Sequence, residues 1–510
     1  MKILNKILSI VLLSVLLSSC QKDFLETAPT NALSSDVVFT SMEGANLALN
    51  GMYRYFFATH GAVYTGHDGF GHMALNLEMD LMGEDMVLHS AGYGWFRNQY
   101  AWVAHRNPDD ARVWERWRRY YAIINNANII ILYIDAVDGS TAEKNNIKAQ
   151  ALAVRAFGYY QLLQMYAPSF TLFPAGNGVP LYIEPSQEGK PRSSTADVYA
   201  QIETDLTDAI GLFAGSNAQI HRSHANLAVA HGIRARVALA KGDYPAALTH
   251  ANNAIQIAEA SGRVLFTPGQ VFIANEVFTT PGTVNVGSGY NTITAPEWMW
   301  GNEIIEDQAT IFASFMSHMD ARFLSYAQLG LQKKVSPALY AQLPETDARK
   351  THWIGPGLGA GALVDYNQVK FGVKAVGSWS ADYVYMRLAE MYLIKAEAQA
   401  RGAGSDAQAA QTLYQLVSQR DPEYVLSTNT GDALKEEIMF HRRVELWGEG
   451  FRFIDLKRLG QPLNRIDKGH VASLAQLMEL AAGDTRWVWK IPTREFDAND
   501  EMNADTDQNP

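Results

Sequence analysis

Residues 225–259 read ANLAVAHGIRARVALAKGDYPAALTHANNAIQIAE, and the punctuation inside this stretch decides the fold class. Ala235, Leu239, Tyr244, Ala247, Ala251 and Ala254 place mostly small residues where two helices must approach closely. Lys241-Gly242 supplies a C-terminal cap, because glycine adopts the left-handed backbone of a helix end without strain. Asp243 can then accept a free N–H of the next helix, and Pro245 fits a first turn that needs no N–H of its own. The segment predicts two helices joined by a tight turn.

Working outward, the same period recurs. Val113, Trp117, Tyr120, Ile124, Ala127 and Ile131 form one apolar helical face. Ile147, Ala151, Val154, Gly158, Leu162 and Met165 form a second, and Val198, Ile202, Leu206, Ile210 and Phe213 a third. Pro168, Pro174, Gly176, Gly178, Pro180, Pro185 and Pro191 mark a loop between the second and third. A second hairpin is predicted from Tyr385 to Arg420. Leu388, Tyr392, Ala396 and Ala400 precede its glycine-rich turn at Gly402 to Ser405, and Ala407, Ala410, Tyr414 and Val417 follow it. Such units resemble tetratricopeptide repeats of about 34 residues, too divergent here for a regular solenoid. The expected fold is mainly α: a tetratricopeptide-like helical-repeat scaffold with long irregular loop insertions and a few short strands.

The N-terminus reads as an export signal. Lys2 and Lys6 precede a short apolar run, Ile7 to Leu17, and Ser18-Ser19 leads directly to Cys20, the single cysteine of the chain. A bilayer span needs about 20 apolar residues, more than this run offers. A cysteine in this position resembles the lipobox of bacterial lipoproteins, which implies that Cys20 is acylated and becomes the mature terminus. An ordinary signal peptide with an incidental cysteine is the alternative. We therefore divide the 510 residues into a signal peptide (1–19), a lipidated tether (20–35) and one domain (36–510). That domain has an N-terminal part to about 260, a loop-rich middle to about 380 and a helical C-terminal part. Net charge is −11, and −13 once Lys2 and Lys6 are removed, which argues against nucleic acid and anionic lipid as partners.

The chain carries 11 Trp, 23 Tyr and 21 Phe, more than a helical core requires, so some are expected at the surface. Two regions interrupt the helical pattern, Gly61 to Asn107 and Val264 to His352. Long loops of this kind usually carry function. Tyr93-Gly94-Trp95-Phe96-Arg97-Asn98 combines aromatic faces with guanidinium and amide donors, the set that recognises the apolar face and the hydroxyls of a sugar. Trp95 and Phe96 fit a binding loop and a short core helix equally. Tyr290, flanked by Gly289 and Asn291, is a second exposed candidate. Trp298 is a third if the strand around Trp300 begins after it, and Trp300 itself is expected in the scaffold.

Catalytic and metal signatures do not stand out. Glu84-Asp85 and Glu436-Glu437 are adjacent pairs, and chain neighbours rarely face one another across a sugar. His67, His72 and His89 lack zinc spacing. Gly355 to Gly361 does not open a phosphate loop, and no nucleophile signature is present. The reading is a binding protein, not an enzyme, with no cofactor and no metal.

Several ordered motifs resemble the SusD/RagB family of Bacteroidetes nutrient-uptake lipoproteins. They are Asp23-Phe24-Leu25-Glu26 with Pro29, Phe39 with Ala48-Leu49-Asn50-Gly51-Met52-Tyr53, and Ile123 with Ala127-Asn128. Glu297-Trp298-Met299-Trp300-Gly301 and Arg387-Leu388-Ala389-Glu390 with Lys395-Ala396-Glu397-Ala398 follow. The strongest runs from Ile438 to Gly460 through Arg442-Arg443-Val444-Glu445-Leu446, Glu449-Gly450-Phe451-Arg452-Phe453 and Asp455-Leu456-Lys457-Arg458. Ile491-Pro492, Glu495, Asn499 and Gln508-Asn509-Pro510 close the series. His441 stands where the family usually has Glu, a departure expected to weaken one ion pair. The charged residues of the strongest motif suit a half-buried ion-pair clasp. The resemblance implies a cell-surface, outer-membrane lipoprotein anchored through its lipid. It would capture an oligosaccharide and deliver it to a SusC-like TonB-dependent transporter. A peptide-binding uptake protein of RagB type is the alternative, and a surface glycosidase a more distant one. Lys22-Asp23, just after Cys20, resembles the signal that sends such lipoproteins to the outer leaflet.

Overall fold

The computed structural model describes residues 38–58, 64–216, 219–273, 290–310, 312–374 and 378–510. The signal peptide, Cys20 and the tether lie outside them. The fold is mainly α. Its helices are α1 (Met42–Arg54), α2 (His72–Leu81), α3 (Ala111–Tyr133), α4 (Thr141–Tyr166), α5 (Thr195–Phe213), α6 (Leu227–Lys241) and α7 (Tyr244–Ala260) in the first half. In the second half come α8 (Leu388–Ala398), α9 (Asp406–Val417), α10 (Gly431–Glu445) and α11 (Arg452–Arg458).

The hairpin at 225–259 forms as its residues dictate. The Asn226 side chain accepts from Val229 N at 2.9 Å and starts α6. Gly242 ends it at φ +75°, and Asp243 Oδ1 accepts from Ala246 N at 3.1 Å to start α7. Ala235, Ala247, Ala251 and Ala254 are fully buried, so extra methylenes there would cost about 1–3 kcal/mol. Packing then runs from each helix to the next: α3 on α4, α4 on α5, α5 on α6, α6 on α7. It continues from α7 to α8 and from α8 to α9 and α10. Residues 261–387 thus leave the stack and return beside their starting point.

Four two-stranded antiparallel ladders occur among the described residues. β1 (Met86–Leu88) pairs with β5 (Lys333–Val335), and β2 (Asn177–Pro180) with β3 (Arg192–Ser194). β4 (Trp298–Asn302) pairs with β6 (Tyr383–Arg387), and β7 (Leu463–Asn464) with β8 (Glu479–Leu480). β6 corrects the predicted start of the second hairpin: residues 383–387 are extended, and the helix begins at Leu388. The turn that follows has Gly402 at φ +107°, and Ser405 caps α9. The region Gly61 to Asn107 is also more ordered than a loop, because it contains α2. All ten residues of α2 are buried, which removes the amphipathic period that would have announced it.

The charged motif lies deeper than expected: Arg442, Glu445, Glu449 and Asp455 are buried, while Arg443 and Arg452 are half-buried. Glu445 receives Arg387 at 2.9 Å, Arg420 at 3.0 Å and Arg349 at 3.3 Å, all with at most 1% exposed side chains. Arg387 and Arg420 also bind Glu297 at 2.5 and 2.7 Å, and Lys370 joins Arg387 on Glu449. Burial alone would raise the Glu445 carboxyl, but the three guanidinium groups hold it well below the usual range. The network ties the insertion, through Glu297, Arg349, Lys370 and Arg387, to α10 and its flanks. Burial, with Arg349 alongside, pushes His441 down to about 3. Its neutral Nδ1 accepts from Arg349 at 2.9 Å.

Candidate functional site

The β1–β5 ladder carries both irregular regions to one place. β1 leads out into residues 89–96, and residues 326–332 lead into β5. Two further bonds lock the two segments: His89 N donates to Gln332 O at 3.0 Å and Ser90 Oγ donates to Gly330 O. Gly92 and Gly94 take positive φ, and so does Phe96 at +62°, which turns the Phe96 ring into the core while Tyr93 stays 65% exposed. Phe96 holds that conformation because its ring is fully buried against Phe70 and His318.

Around Tyr326 the aromatic side chains form a platform. Tyr93 lies 5.5 Å from the Tyr326 ring, Trp95 6.0 Å and Phe312 4.9 Å. Trp95 stacks on His67 at 5.2 Å and 22°. His67 Nδ1 shares a 2.6 Å hydrogen bond with Tyr326 Oη. Beneath, the buried His318 stacks on Tyr326, and its Nε2 donates to His67 O at 2.9 Å. Burial and nearby Lys333 push His318 down to about 3, so it is a neutral strut. The His67 loop is pinned by Asp68, which accepts from Arg112 at 2.6 Å and Gln99 at 3.1 Å. Burial would raise the Asp68 carboxyl, but Arg112 and the Tyr64 hydroxyl hold it below its usual range. Arg97 and Asn98 are exposed on the one-turn helix Arg97–Tyr100. The arrangement offers aromatic faces for the apolar side of a ring, with guanidinium, amide and phenol groups for its hydroxyls.

The sequence candidates separate here. Tyr93, Trp95, Arg97 and Asn98 lie on or beside the platform, Trp95 half-buried. Tyr290 and Trp298 do not. Tyr290 is 1% exposed, with Lys370 and Arg387 at 4.7 and 5.2 Å over its ring, so its glycine-flanked position is core and not loop surface. Trp298 is fully buried in β4, because the strand begins at it and pairs it with Arg387. Trp300 is scaffold, packed on Phe56, Phe157 and Tyr385. His67, Phe312 and Tyr326 were missed: they lie in the two regions singled out, but no local motif marks them. Trp379, whose Nε1 donates to Leu324 O at 3.0 Å, joins the same neighbourhood.

The other sequence features have local uses. Glu84 and Asp85 bind Arg452 and Arg443 at 2.8 and 2.5 Å. The glycine stretch gives its Gly357 and Gly359 N–H groups to Asp365, each at 2.8 Å. His72 is bonded to Tyr120 Oη at 2.7 Å inside the core. Among the described residues no helix is long and apolar enough to cross a membrane.

Comparison with known proteins agrees with this architecture. Residues 23–239 match the SusD-like family model described as starch-binding and associating with the outer membrane, and residues 363–510 match the SusD family model. A solved SusD-like carbohydrate binding protein from Bacteroides vulgatus is 26% identical over 92% of this chain and 98% of its own, with a TM-score of 0.76. A SusD superfamily protein from Bacteroides thetaiotaomicron shares the fold at 22% identity, 92% and 100% coverage and a TM-score of 0.75. So does surface glycan-binding protein A of Bacteroides thetaiotaomicron, solved with laminarihexaose, at 17% identity, 92% and 100% coverage and a TM-score of 0.66. No curated protein sequence matches the chain. The chain belongs to the SusD/RagB family.

Proposed function

We propose that this protein is a non-catalytic glycan-binding lipoprotein of the cell surface. It captures an oligosaccharide and delivers it to a SusC-like TonB-dependent transporter. The observation that carries the reading is the platform of Tyr93, Trp95 and Phe312 around the buried Tyr326, with Tyr93 exposed and Trp95 and Phe312 half-exposed. The family description and the carbohydrate-binding relative support it. Cys20, outside the described residues, would carry the lipid, since acyl burial at about 0.8 kcal/mol per CH₂ is the anchor the sequence offers. Cys20→Ala should release or mislocalise the protein, and protease shaving of intact cells should remove the wild type.

Calorimetry with a panel of polysaccharides tests the binding claim. Binding that Tyr93→Ala removes supports it. Release of reducing ends by the pure protein would turn the reading toward a glycosidase. Binding of peptides with no glycan bound would turn it toward the RagB-type alternative.

A further inference from the structure

A second site lies on α3. Trp114, Arg118, Tyr121 and Asn125 follow one another at helical spacing, one step round from the core face that holds Val113, Trp117 and Tyr120. With Asn128, Tyr182, Ser186 and Glu495 they line a cleft of about 210 Å³. A core face would be closed, and a merely wet face would carry charged residues alone. This face instead leaves Trp114 and Tyr121 half-exposed beside the exposed Arg118 and Asn125. No hydrogen bond or ion pair occupies either of those two polar side chains among the described residues.

The walls are fixed in advance. Tyr121 Oη donates to Pro180 O at 2.8 Å, and its ring meets Tyr182 edge-on at 5.8 Å and 87°. Asn128 Nδ2 donates to the Tyr182 and Glu184 carbonyls, each at 3.1 Å, and so holds the Tyr182 loop against the helix. Trp117 Nε1 and Asn499 Nδ2 donate to opposite oxygens of Glu495, at 2.8 and 3.0 Å, which orients its carboxylate. Lys190 and Arg494 lie over the Tyr182 and Trp114 rings at 5.5 and 5.7 Å.

We propose that this cleft is a second carbohydrate subsite that accepts a single pyranose residue. Trp114, Tyr121 and Tyr182 would face the apolar side of the ring, and Arg118, Asn125 and Glu495 would take its hydroxyls. The volume is well under the roughly 300–1,000 Å³ of pockets that enclose drug-sized ligands, so it admits one ring and no longer chain. The cleft shares no lining residue with the platform.

Saturation-transfer NMR tests it with the methyl glycosides of glucose, galactose, mannose and xylose. The full-length Tyr93→Ala variant is used, which weakens the platform with the melting temperature nearly unchanged. Transfer to at least one glycoside is expected. Trp114→Ala should weaken that sugar at least roughly tenfold, the effect of losing one stacked ring. Arg118→Ala and Asn125→Ala, at exposed positions, should weaken it with unchanged thermal melts, which guards against misfolding of the Trp114 variant. No transfer to any of the four sugars overturns the proposal, and so does transfer that all three substitutions leave unchanged. The platform reading fails separately, if the Tyr93→Ala variant keeps wild-type polysaccharide affinity.

Discussion

Tyr93 and Trp95 sit two residues apart and should fail in different ways when truncated. Tyr93 is 65% exposed and touches the platform through one ring contact, so Tyr93→Ala should cost roughly ten- to a hundredfold in glycan affinity, with the melting temperature nearly unchanged. Trp95 is wedged between His67 and Tyr326, so Trp95→Ala should lose affinity and stability together. Paired calorimetry and melting curves check both; a stable Trp95→Ala variant that binds normally would remove it from the site. Glu445 is the residue whose loss the scaffold should feel most. Glu445→Ala leaves Arg349, Arg387 and Arg420 buried without their shared carboxylate, and breaking such a buried pair costs about 3–5 kcal/mol. Denaturant titration reads that loss directly.

At the scale of elements, the β1–β5 ladder sets the distance between the two platform loops, and Gly330 makes the return turn at φ +106°. A Cβ there would meet Ser90 Oγ at 3.1 Å and strain the backbone, at a cost on the order of 1–3 kcal/mol. Gly330→Ala should therefore weaken glycan binding although it contacts no ligand, and unchanged affinity would show that the ladder does not position the platform. Legibility follows the same division. The hairpin at 225–259 was readable because Gly242, Asp243 and Pro245 act within a few residues of themselves, although the Asn226 cap that starts α6 was not singled out. The strand β6 and the helix α2 were harder, because their burial comes from distant partners and erases the period. Tyr290 was misread for that reason: its glycine neighbours suggested a loop, while Lys370 and Arg387 cover its ring. The half-platform at residues 89–98 announced itself by composition, whereas Phe312 and Tyr326 lie more than 200 residues downstream with nothing local to mark them.

For the molecule as a whole, acid should be the weak side. Burial pushes His72, His105, His318, His352, His441 and His470 each down to about 3. Burial pushes Glu78 and Asp80 up to about 7, the opposite effect. Unfolded, these histidines titrate near ~6.5 and the carboxylates near ~4. Between about pH 4 and 6 the unfolded chain therefore gains protons at six histidines, and the folded chain keeps extra ones at two acids. The unfolded state binds more, so stability falls as pH falls. Melting temperatures at pH 7, 6 and 5 should decrease in that order; a flat or rising series would contradict the assignment of neutral buried histidines. A large apolar core runs from Phe39 to Met502, and a smaller one packs α8, α9 and α10 against each other.

Because α7 and α8 touch, the chain between them is a detour whose length the helical stack does not sense. Closing a longer detour costs little, about 0.6 kcal/mol for each doubling. The detour is not uniformly free, since Glu297, Arg349 and Lys370 fasten it to α10 and its flank. Between Glu303 and Gln332 the residues 305–310 lie at the surface, whereas Phe315, Met316, His318 and Met319 anchor the stretch that carries Phe312 and Tyr326 in the core. Lineages could vary the surface residues around that anchor, and with them the nutrient recognised, without renegotiating the fold, and a protein engineer could graft there for the same reason.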